Sequence, residues 1–494
     1  MNFLNQKKKK SFSTLAELTK DLKKSNDFVE TFIPQSNQGY FLSYYQTIID
    51  SNILHDDVIE KLQETTLSSL EQIKQAVPIE EIKITSDLNT IKQKLMLGSL
   101  MIRFSEQDEE CALINIAMKE KRQIAIPEVE YSVIGPKESF VEDINININL
   151  IRTRLPTTDF KVETCHVGEL SKTQVAVLYI EGICNQENVN TALQRIKSIK
   201  IDQILDSAYI SQLISDNSRS PFPQSRDTER PDRVAASLAE GGIAILVDRS
   251  SFALIVPTTL IEFFSSIEDN YIHWLLASSF RLIRVGSVIL SILATPIYVA
   301  VITYHYVLIP KELLVTLVAS RQGVPLPPIL EALILELAIE LLREAGARLP
   351  TKIGQTIGIV GGIVIGTASV EAGLTSNVLL IIVAIAALGS FTTPVYKMGN
   401  TIRILRFPLL IAAFLYGLPG IIFSLCFIMI HLIDLSSLGR PYLEPIYPPR
   451  GNDFKDTFIR LPFSFQSKRP IMLQTEKTIR FNQKKAKQKK DIDD

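Results

Sequence analysis

The sequence predicts a chain of two unlike parts: an α/β N-terminal region of two subdomains on the cytoplasmic side, followed by an all-α polytopic membrane domain. The first half is polar and mixes helix-like and strand-like patterns, whereas the second half contains four long stretches without a charged residue. The basic N-terminus is not followed by an apolar stretch. We therefore expect no cleavable signal peptide, and expect the residues before about 280 to stay in the cytoplasm.

The uncharged stretches carry the membrane prediction. A hydrocarbon core of about 30 Å needs about 20 apolar residues in a helix, and the stretches fit that length. We therefore predict transmembrane spans at about 285–309, 353–370, 372–396 and 407–433. A further helix over 329–345 is either amphipathic or partly inserted, which gives the domain four to five spans.

Changes in composition along the chain predict six segments. In order they are a basic disordered arm (1–27), a first α/β subdomain (28–160), a second α/β subdomain (161–257), an amphipathic helix that leads into the membrane (258–284), the transmembrane domain (285–434) and a polar tail (435–494). Residues 28–97 are mostly helical in pattern, and GGIAILVDRSSFALIVP is typical of a β-hairpin around a polar turn. The tail after about Asp434 is polar and ends in QKKAKQKKDIDD, and we expect it to be disordered.

Composition and motifs exclude several functions. Lys and Arg number 52 against 53 Asp and Glu, so the chain has no overall basic field for nucleic acid. The four cysteines form no CxxC pair, which predicts reduced thiols with neither disulfides nor zinc. No P-loop, GxSxG, HExxH or Rossmann fingerprint is present, so we expect no enzyme, no cofactor and no metal site.

A glycine strip runs through the second predicted span. Gly354, Gly358, Gly362 and Gly366 recur every four residues, which places them on one ridge of a helix. Glycine costs about 1 kcal/mol relative to alanine inside a helix, so the strip needs a compensating role. Ordinary helix packing within one chain is one such role. A subunit interface or the lining of a narrow pore is the other.

An acidic stripe precedes the glycines. Glu336, Glu340 and Glu344 fall within one third of the circumference of the helix over 329–345. Carboxylates cannot face lipid cheaply, so these must face water, a partner charge or an ion path. An interfacial amphipathic helix, a cation-attracting vestibule and a charge-paired contact between subunits each satisfy this requirement.

The topology of the spans stays open at this point. Lysine-rich ends predict that both termini lie on the cytoplasmic side, which requires an even number of crossings. Four crossings would place Lys397, Arg403 and Arg406 in a short outer loop, against the positive-inside rule. If the glutamate helix also crosses, the loop moves inside but the basic tail moves outside. A break of the last helix at Leu418-Pro419-Gly420 is a further possibility.

Two local segments can each be interpreted in two ways. INININL alternates with a period of two, which on pattern alone favours a strand. The loop SPFPQSRDTERPDR combines arginines with acidic residues, so it is either a phosphate site or a rigid salt-bridged connector. As a connector between the α/β region and the membrane, it would act through Pro221, Pro223, Gln224, Thr228, Glu229, Arg230, Pro231 and Asp232.

Long blocks of the sequence resemble the A-subunit family of bacterial spore germinant receptors, the GerA family. The blocks are GPKESFVEDINININLIRTRL, VAVLYIEGI, SPFPQSRDTERPDR with GGIAILVDRSSFALIVP, SRQGVPLPPILEALILELAIELLREAGARLPTKIGQTIGIVGGIVIG and VEAGLTSNVLLIIVAIAALGSFTTPVY. They keep the family's order over roughly residues 125 to 435. The chain departs from the family's pattern in KMGNTIRILRFP, where Lys397 and Asn400 replace more apolar residues, and in the turn DRSS.

The resemblance implies a receptor subunit in the inner membrane of a dormant endospore, with N- and C-terminal regions in the cytoplasm. It implies partners, namely an integral membrane B subunit and a lipoprotein C subunit, and a nutrient that is bound mainly by the partner. It also implies a homo-oligomer around an ion channel, and a helix rather than a strand at INININL. We expect a subunit that triggers germination as part of a ligand-gated channel; the alternative is a non-conducting scaffold.

Overall fold

The computed structural model contains two five-stranded sheets followed by a group of apolar helices. It describes residues 12–35, 39–65, 67–79, 81–118, 126–349, 361–363, 366–451 and 453–482.

The first subdomain is a three-layer α/β unit, in which all strand pairs are antiparallel in the order β1-β2-β4-β5-β3. Its strands are β1 (Phe28–Ile33), β2 (Tyr40–Tyr45), β3 (Ile82–Thr85), β4 (Ser99–Arg103) and β5 (Cys111–Asn115). Its helices are α1 (Leu15–Leu22), a π-helical turn (Ile53–Ile59) that continues into α2 (Glu60–Glu64), α3 (Leu70–Ala76) and α4 (Leu88–Met96). The mostly helical interpretation of 28–97 is therefore wrong, because β1, β2 and β3 lie within it.

The prediction of a disordered arm over 1–27 is wrong for α1. Thr14 accepts a hydrogen bond from the Glu17 N–H at the start of this helix, which satisfies one of its free donors. Leu15, Leu18 and Leu22 recur on one side of the helix and are buried against the first sheet. In the sequence, the run of lysines before this helix makes its short amphipathic pattern difficult to recognise. Residues 1–11 lie outside the described part of the chain.

The second subdomain is also a three-layer unit, with the antiparallel strand order β6-β7-β9-β10-β8. Its strands are β6 (Phe160–Val167), β7 (Thr173–Ile180), β8 (Arg226–Thr228), β9 (Ile243–Val247) and β10 (Ala253–Val256). Its helices are α5 (Ile144–Arg154), α6 (Gln186–Lys197), α7 (Ser207–Ile214) and α8 (Pro231–Glu240). Helices α6 and α7 cover one face, while α5 and α8 cover the other. The predicted hairpin is confirmed as β9 and β10.

INININL is helical, as the resemblance implied, and forms most of α5. Asp143 caps the helix by accepting the Asn145 N–H, at 2.9 Å. The buried Asn147 amide accepts from Val141 N–H (2.8 Å) and donates to Val141 O (2.6 Å), so a polar side chain is satisfied inside the protein. Helix α5 packs on the second sheet, which differs from its predicted place in the first subdomain.

One buried cation joins the two subdomains. The Arg152 guanidinium of α5 binds the Asp27 carboxylate at 2.5 Å and lies over the rings of Tyr45 and Phe160, 4.2 and 4.7 Å from their centroids. A few residues away, Val162 N–H donates to Ser25 Oγ at 3.1 Å. The two sheets are therefore held at a fixed contact by charge, cation–π and backbone interactions.

The C-terminal helices follow two 3₁₀ turns. The turns are Leu260–Phe264 and Ile267–Asn270, and the helices are α9 (Trp274–Tyr304), α10 (Lys311–Arg321), α11 (Pro328–Arg348), α12 (Asn377–Ser390) and α13 (Tyr396–Asp434), with one more 3₁₀ turn at Tyr306–Leu308. The single helix predicted over 258–284 is therefore wrong. Among the described residues, α9 and α13 are long and apolar enough to cross a membrane, and α12 is a shorter apolar helix.

Helix α13 is a helical hairpin and not one straight rod. Gly417 breaks it with φ 64° and ψ −144°, a backbone conformation that only glycine adopts readily. Thr401 near its start and His431 near its end both contact the same loop, at Pro221 and Ser220. In a continuous helix these residues would be about 45 Å apart. The arms 397–416 and 418–434 therefore lie side by side, and the turn packs near the far end of α9.

The hairpin and α11 place residues 397–403 and the C-terminal tail at the same end of the helices as the two sheets. Glu331, near the start of α11, contacts Arg321 and Ser376 at the far end, whereas Glu340 contacts Arg403 at the near end. Of the predicted span 353–370, residues 361–363 and 366–370 are helical and the rest lies outside the described residues. The number of spans stays a prediction.

The expected disorder of the polar tail is wrong up to residue 482, because its described residues pack back onto the protein. It contains the short strands β11 (Ser436–Ser437) and β12 (Arg440–Pro441) and 3₁₀ turns at Asp453–Asp456, Phe463–Phe465 and Ile471–Leu473. Ser278 Oγ in α9 donates to Arg460 O at 3.1 Å, and the Asn188 side chain in α6 donates to Leu473 O at 3.4 Å. The final segment QKKAKQKKDIDD lies outside the described residues.

Candidate functional site

The segment 220–233 runs from a loop through the edge strand β8 into the start of α8 and forms the contact between the second sheet and the helices; we call it the junction. Its SPFPQ half presents carbonyl oxygens to the helices and the tail: Thr401 Oγ1 donates to Pro221 O (2.5 Å), Tyr442 Oη to Pro223 O (2.8 Å) and Ser437 Oγ to Gln224 O (2.7 Å). Proline fixes φ and has no N–H, so this stretch is stiff and offers mainly acceptors.

The junction holds both arms of the α13 hairpin. Phe222 is buried in a cluster that contains Met398 and Ile402 of the first arm and Leu432 of the second. The His431 ring lies 6.0 Å from the Phe222 ring, and its Nε2 is 2.8 Å from Ser220 Oγ. A displacement of this loop would therefore move both arms together.

An ion pair extends the contact to the edge strand β8. The Lys397 ammonium in the first turn of α13 pairs with the Asp227 carboxylate. Burial raises the pKa of Asp227, and the Lys397 charge opposes that shift. The sequence had marked Lys397 only as a departure from the family pattern; a lysine at the start of an apolar helix and an aspartate in a Pro-rich loop gave no spacing that would link them.

The second half of the junction holds the segment 129–136. The Glu229 carboxylate accepts the N–H groups of Val129 (2.6 Å) and Glu130 (2.7 Å). Arg230 donates to Pro136 O at 2.9 Å and pairs with Asp232 at 2.8 Å, at the start of α8 next to Pro231. Thr228 Oγ1 donates to the Glu130 carboxylate at 2.6 Å. The charged groups of TERPD are thus bound to one another and to backbone, in the manner of the salt-bridged connector rather than of an open phosphate site.

Two further arginines of the junction converge on one carbonyl. Arg226 and Arg233 donate to Ser265 O at 2.8 and 3.1 Å, in the turn between the two 3₁₀ segments that lead into α9. The adjacent Glu262 accepts from Thr258 Oγ1 at 2.8 Å. Burial raises the pKa of Glu262 to about 7, although the Arg226 charge acts in the opposite direction.

A buried ion pair lies at the centre of the helices. The Arg406 guanidinium of α13 pairs with the Glu336 carboxylate of α11, and both side chains are at most 2% exposed. Thr295 Oγ1 of α9 donates to Glu336 at 2.9 Å, while Arg406 donates to Ser291 Oγ (2.8 Å) and also reaches a carbonyl of α12. Four helices therefore meet at this pair. Glu336 does not face an open vestibule within the chain, contrary to that part of the expectation.

The other glutamates of α11 also face cations. Glu331 pairs with Arg321 at 2.8 Å in a buried position. Glu340 lies 3.5 Å from Arg403 and 3.6 Å from Arg343, and is partly buried. Glu344 pairs with Arg348 on the exposed surface. The stripe therefore realises the partner-charge alternative, with partners from the same chain. Glu331 lies outside the predicted stripe, and no sequence pattern linked the stripe to its partners Arg403 and Arg406.

The glycine strip is only partly within the described residues. Gly354 and Gly358 lie outside them. A methyl group added at Gly362 would meet no atom within 4 Å, and one at Gly366 would meet only Leu380, at 3.7 Å. Packing against described parts of the same chain therefore does not account for glycine at Gly362.

An α/β region fastened to apolar, membrane-capable helices defines a class of membrane-associated proteins with a large folded part outside the bilayer. The model of the Bacillus/Clostridium GerA spore germination protein family matches residues 16–472. The chain belongs to this family, the A subunits of spore germinant receptors, whose members take part in spore germination.

Similar proteins of known name include several spore germination proteins. Spore germination protein GerQA of Bacillus cereus is 50% identical over 480 residues, which cover 97% of this chain and 96% of that protein. Spore germination protein A1 of Bacillus subtilis (strain 168) is 36% identical over 457 residues, covering 92% and 94%. The crystal structure of the N-terminal domain of the A subunit of the Bacillus megaterium spore germinant receptor GerK3 is 28% identical, covers 49% of this chain and 92% of that one, and has a TM-score of 0.38.

Removal of one partner of the buried pair should cost more than removal of both. Arg406→Gln leaves the Glu336 charge buried without a counter-ion, a change that costs about 3–5 kcal/mol in buried pairs. The double variant Glu336→Gln/Arg406→Gln should recover much of this loss. The measurement is thermal unfolding of the detergent-solubilised chain, followed by the fluorescence of its single tryptophan, Trp274. Arg348→Gln, at an exposed pair, is the control and should change stability little. A double variant no more stable than Arg406→Gln would contradict the prediction.

Stability should depend on pH through Glu262. Its pKa is higher in the folded protein, about 7, than the ordinary 4.5, so folding binds a proton in this interval. The contribution is complete below about pH 4.5 and is lost as pH rises through about 7. Glu262→Gln should flatten the fall of the unfolding midpoint over this range, whereas Glu187→Gln, at an exposed carboxylate, should not. An unchanged slope in Glu262→Gln would show that other groups cause the pH dependence.

Proposed function

We propose that this chain is the A subunit of a nutrient germinant receptor in the spore inner membrane, where several copies form a ligand-gated ion channel together with an integral membrane B subunit and a lipoprotein C subunit. One observation carries the proposal: the junction binds the second sheet to both arms of the α13 hairpin. A change in the folded region would reach the membrane through Phe222 and the carbonyls beside it.

Gating requires two states that the nutrient distinguishes. The nutrient binds mainly to the B subunit. It shifts the receptor toward the open state only to the extent that it binds the open state more tightly than the closed state. In this chain, the junction transmits the shift to α13, and the Glu336–Arg406 pair couples α13 to α11. The glycine strip of Gly354, Gly358, Gly362 and Gly366 then packs against neighbouring copies or lines the pore. Glu340 and Glu344 contribute the acidic vestibule at its near mouth.

The proposed topology has six crossings. They are α9, α11, the segment that includes the helical residues 361–363 and 366–371, α12 and the two arms of α13. An even number returns the tail to the side of the sheets, and residues 397–403 lie there too, in agreement with the positive-inside rule. The N- and C-terminal regions are then cytoplasmic, and the conflict that four or five crossings create does not arise.

A non-conducting scaffold is the second candidate function. The pairing of Glu336 with Arg406 favours it, because a neutralised carboxylate attracts cations weakly. In that case the partners would bind the nutrient and move the ions, while this chain holds them together.

Cysteine labelling tests the topology. In a Cys426→Ser background, Val307→Cys, at the far end of α9, should react with a membrane-impermeant maleimide in intact bacterial cells that produce the chain. Phe32→Cys and Tyr447→Cys should react only after lysis. All three native side chains are at least half exposed, so access within the protein is comparable. Labelling of Phe32→Cys and Tyr447→Cys from opposite sides would exclude an even number of crossings.

Ion flux tests the channel. The purified chain, alone and together with its B and C partners, is placed in liposomes loaded with potassium. Wild-type chain should release potassium, and Gly362→Leu should reduce the release about tenfold or more, because an apolar bulk narrows a pore or separates packed helices. Gly286→Leu is the matched control, since a side chain there also meets no atom within 4 Å. If folded, oligomeric wild-type protein releases no potassium even with its partners present, the channel is excluded and the scaffold function is supported.

A further inference from the structure

Two exposed apolar surfaces lie on the second subdomain, away from the C-terminal helices α9–α13. The first, the strip, consists of Val129, Tyr131 and Val133, which are 50%, 67% and 71% exposed. The second, the α7 stripe, consists of Leu205, Tyr209 and Leu213, which are 57%, 38% and 47% exposed. Apolar residues gathered in this way on a folded surface mark an interaction site more often than scattered ones do.

The strip is held in a fixed conformation. Its side chains alternate: Glu130 and Ser132 point inward, where they bind Arg233 and Arg230 of the junction. Its backbone N–H groups are bound by Glu229 and, at residues 133 and 134, by the Glu268 carboxylate at 3.1 and 3.2 Å. The outward side chains therefore need little further ordering to bind a partner, which lowers the entropic cost of binding.

The α7 stripe follows helical geometry. Tyr209 and Leu213 are spaced by four, so they occupy one side of α7, and Leu205 lies two residues before the helix, ahead of the extended N-cap Asp206. Ile210 and Ile214, on the opposite side, are buried in the core beneath. The α7 stripe is thus a second, exposed apolar side of a helix whose first apolar side is buried in the core.

The two surfaces lie on opposite faces of the second sheet. Helix α7 packs on the face that includes Leu254, whereas α5 and α8 pack on the face that includes Ala253. Thr228, which holds the strip, pairs with Ala253 in the sheet, so the strip lies on the α5/α8 side. Different patches on opposite faces can meet only between separate molecules, in a head-to-tail contact.

The charges that flank the two surfaces are complementary. Exposed charges flank both: Glu128 precedes the strip and Lys137 follows it, while Asp202 precedes the stripe and Arg219 follows it. An antiparallel alignment of strip and stripe brings unlike charges together at both ends.

We propose that the strip of one copy docks on the α7 stripe of the next copy, in a head-to-tail contact that links the cytoplasmic regions of neighbouring subunits. This inference rests on the assembly of several copies in the proposed function and names the surface that joins them. Because Glu229, Arg230 and Arg233 hold the strip, the same junction that contacts the helices also shapes the contact between copies.

Cross-linking of the full-length chain in membranes tests the contact. In a Cys426→Ser background, Tyr131→Cys/Tyr209→Cys treated with a short bis-maleimide should give a ladder of dimers, trimers and larger species. Each single variant should stay monomeric, and a mixture of the two single variants should give dimers only. The other native thiols should not compete, because burial raises the pKa of Cys111 and Cys184 to about 12 and also raises that of Cys165.

The matched control is Leu97→Cys in place of Tyr131→Cys, since Leu97 is 55% exposed but lies on the first subdomain; it should give no ladder with Tyr209→Cys. Dimers from Tyr131→Cys alone would show a strip-to-strip contact and overturn the proposal. The mass of the solubilised chain separates the remaining outcomes. An oligomer without the ladder overturns this contact alone, whereas a monomer overturns the proposed assembly as well.

Discussion

A carboxylate and a guanidinium that have no water to solvate them must find each other, and the arrangement of the helices follows from this constraint. Glu336 and Arg406 meet where four helices converge, with hydroxyl groups of α9 and a carbonyl of α12 as further partners. Apolar helices can slide past one another at little cost, because lipid and side chains are equally apolar. A buried pair with directed hydrogen bonds fixes their rotation and register.

The junction meets a different requirement, since it must connect a sheet to helices without leaving backbone groups unpaired. Prolines remove N–H donors, and the remaining carbonyls accept hydroxyl groups from α13 and the tail. Glu229 and Arg230 face the opposite way and bind backbone groups of residues 129–136, as a neighbouring strand would. One short segment therefore fixes two surfaces, one toward the helices and one away from them.

Local patterns gave the α/β class, the β9–β10 hairpin and the long apolar helices, because each depends on periodicity over adjacent residues. They failed where a partner lies far along the chain. The alternation in INININL hides a helix, since Asn147 is satisfied by a backbone segment just outside it. The acidic stripe was visible, but its partners Arg403 and Arg406 lie some sixty to seventy residues later. The turn at Gly417 was only suggested by its neighbours Pro419 and Gly420.

The hairpin of α13 also constrains how the chain is made. Arg406 enters an apolar environment as part of the last helical element, and an arginine without a partner costs roughly 3 kcal/mol at the centre of a bilayer. Glu336 is synthesised earlier, so its carboxylate is already in place when the arginine arrives. Both arms must enter together, because Gly417 turns the chain back. The C-terminal hairpin would thus be inserted next to the Glu336 carboxylate. A chain that ended before the hairpin would keep this carboxylate without a counter-ion among its helices.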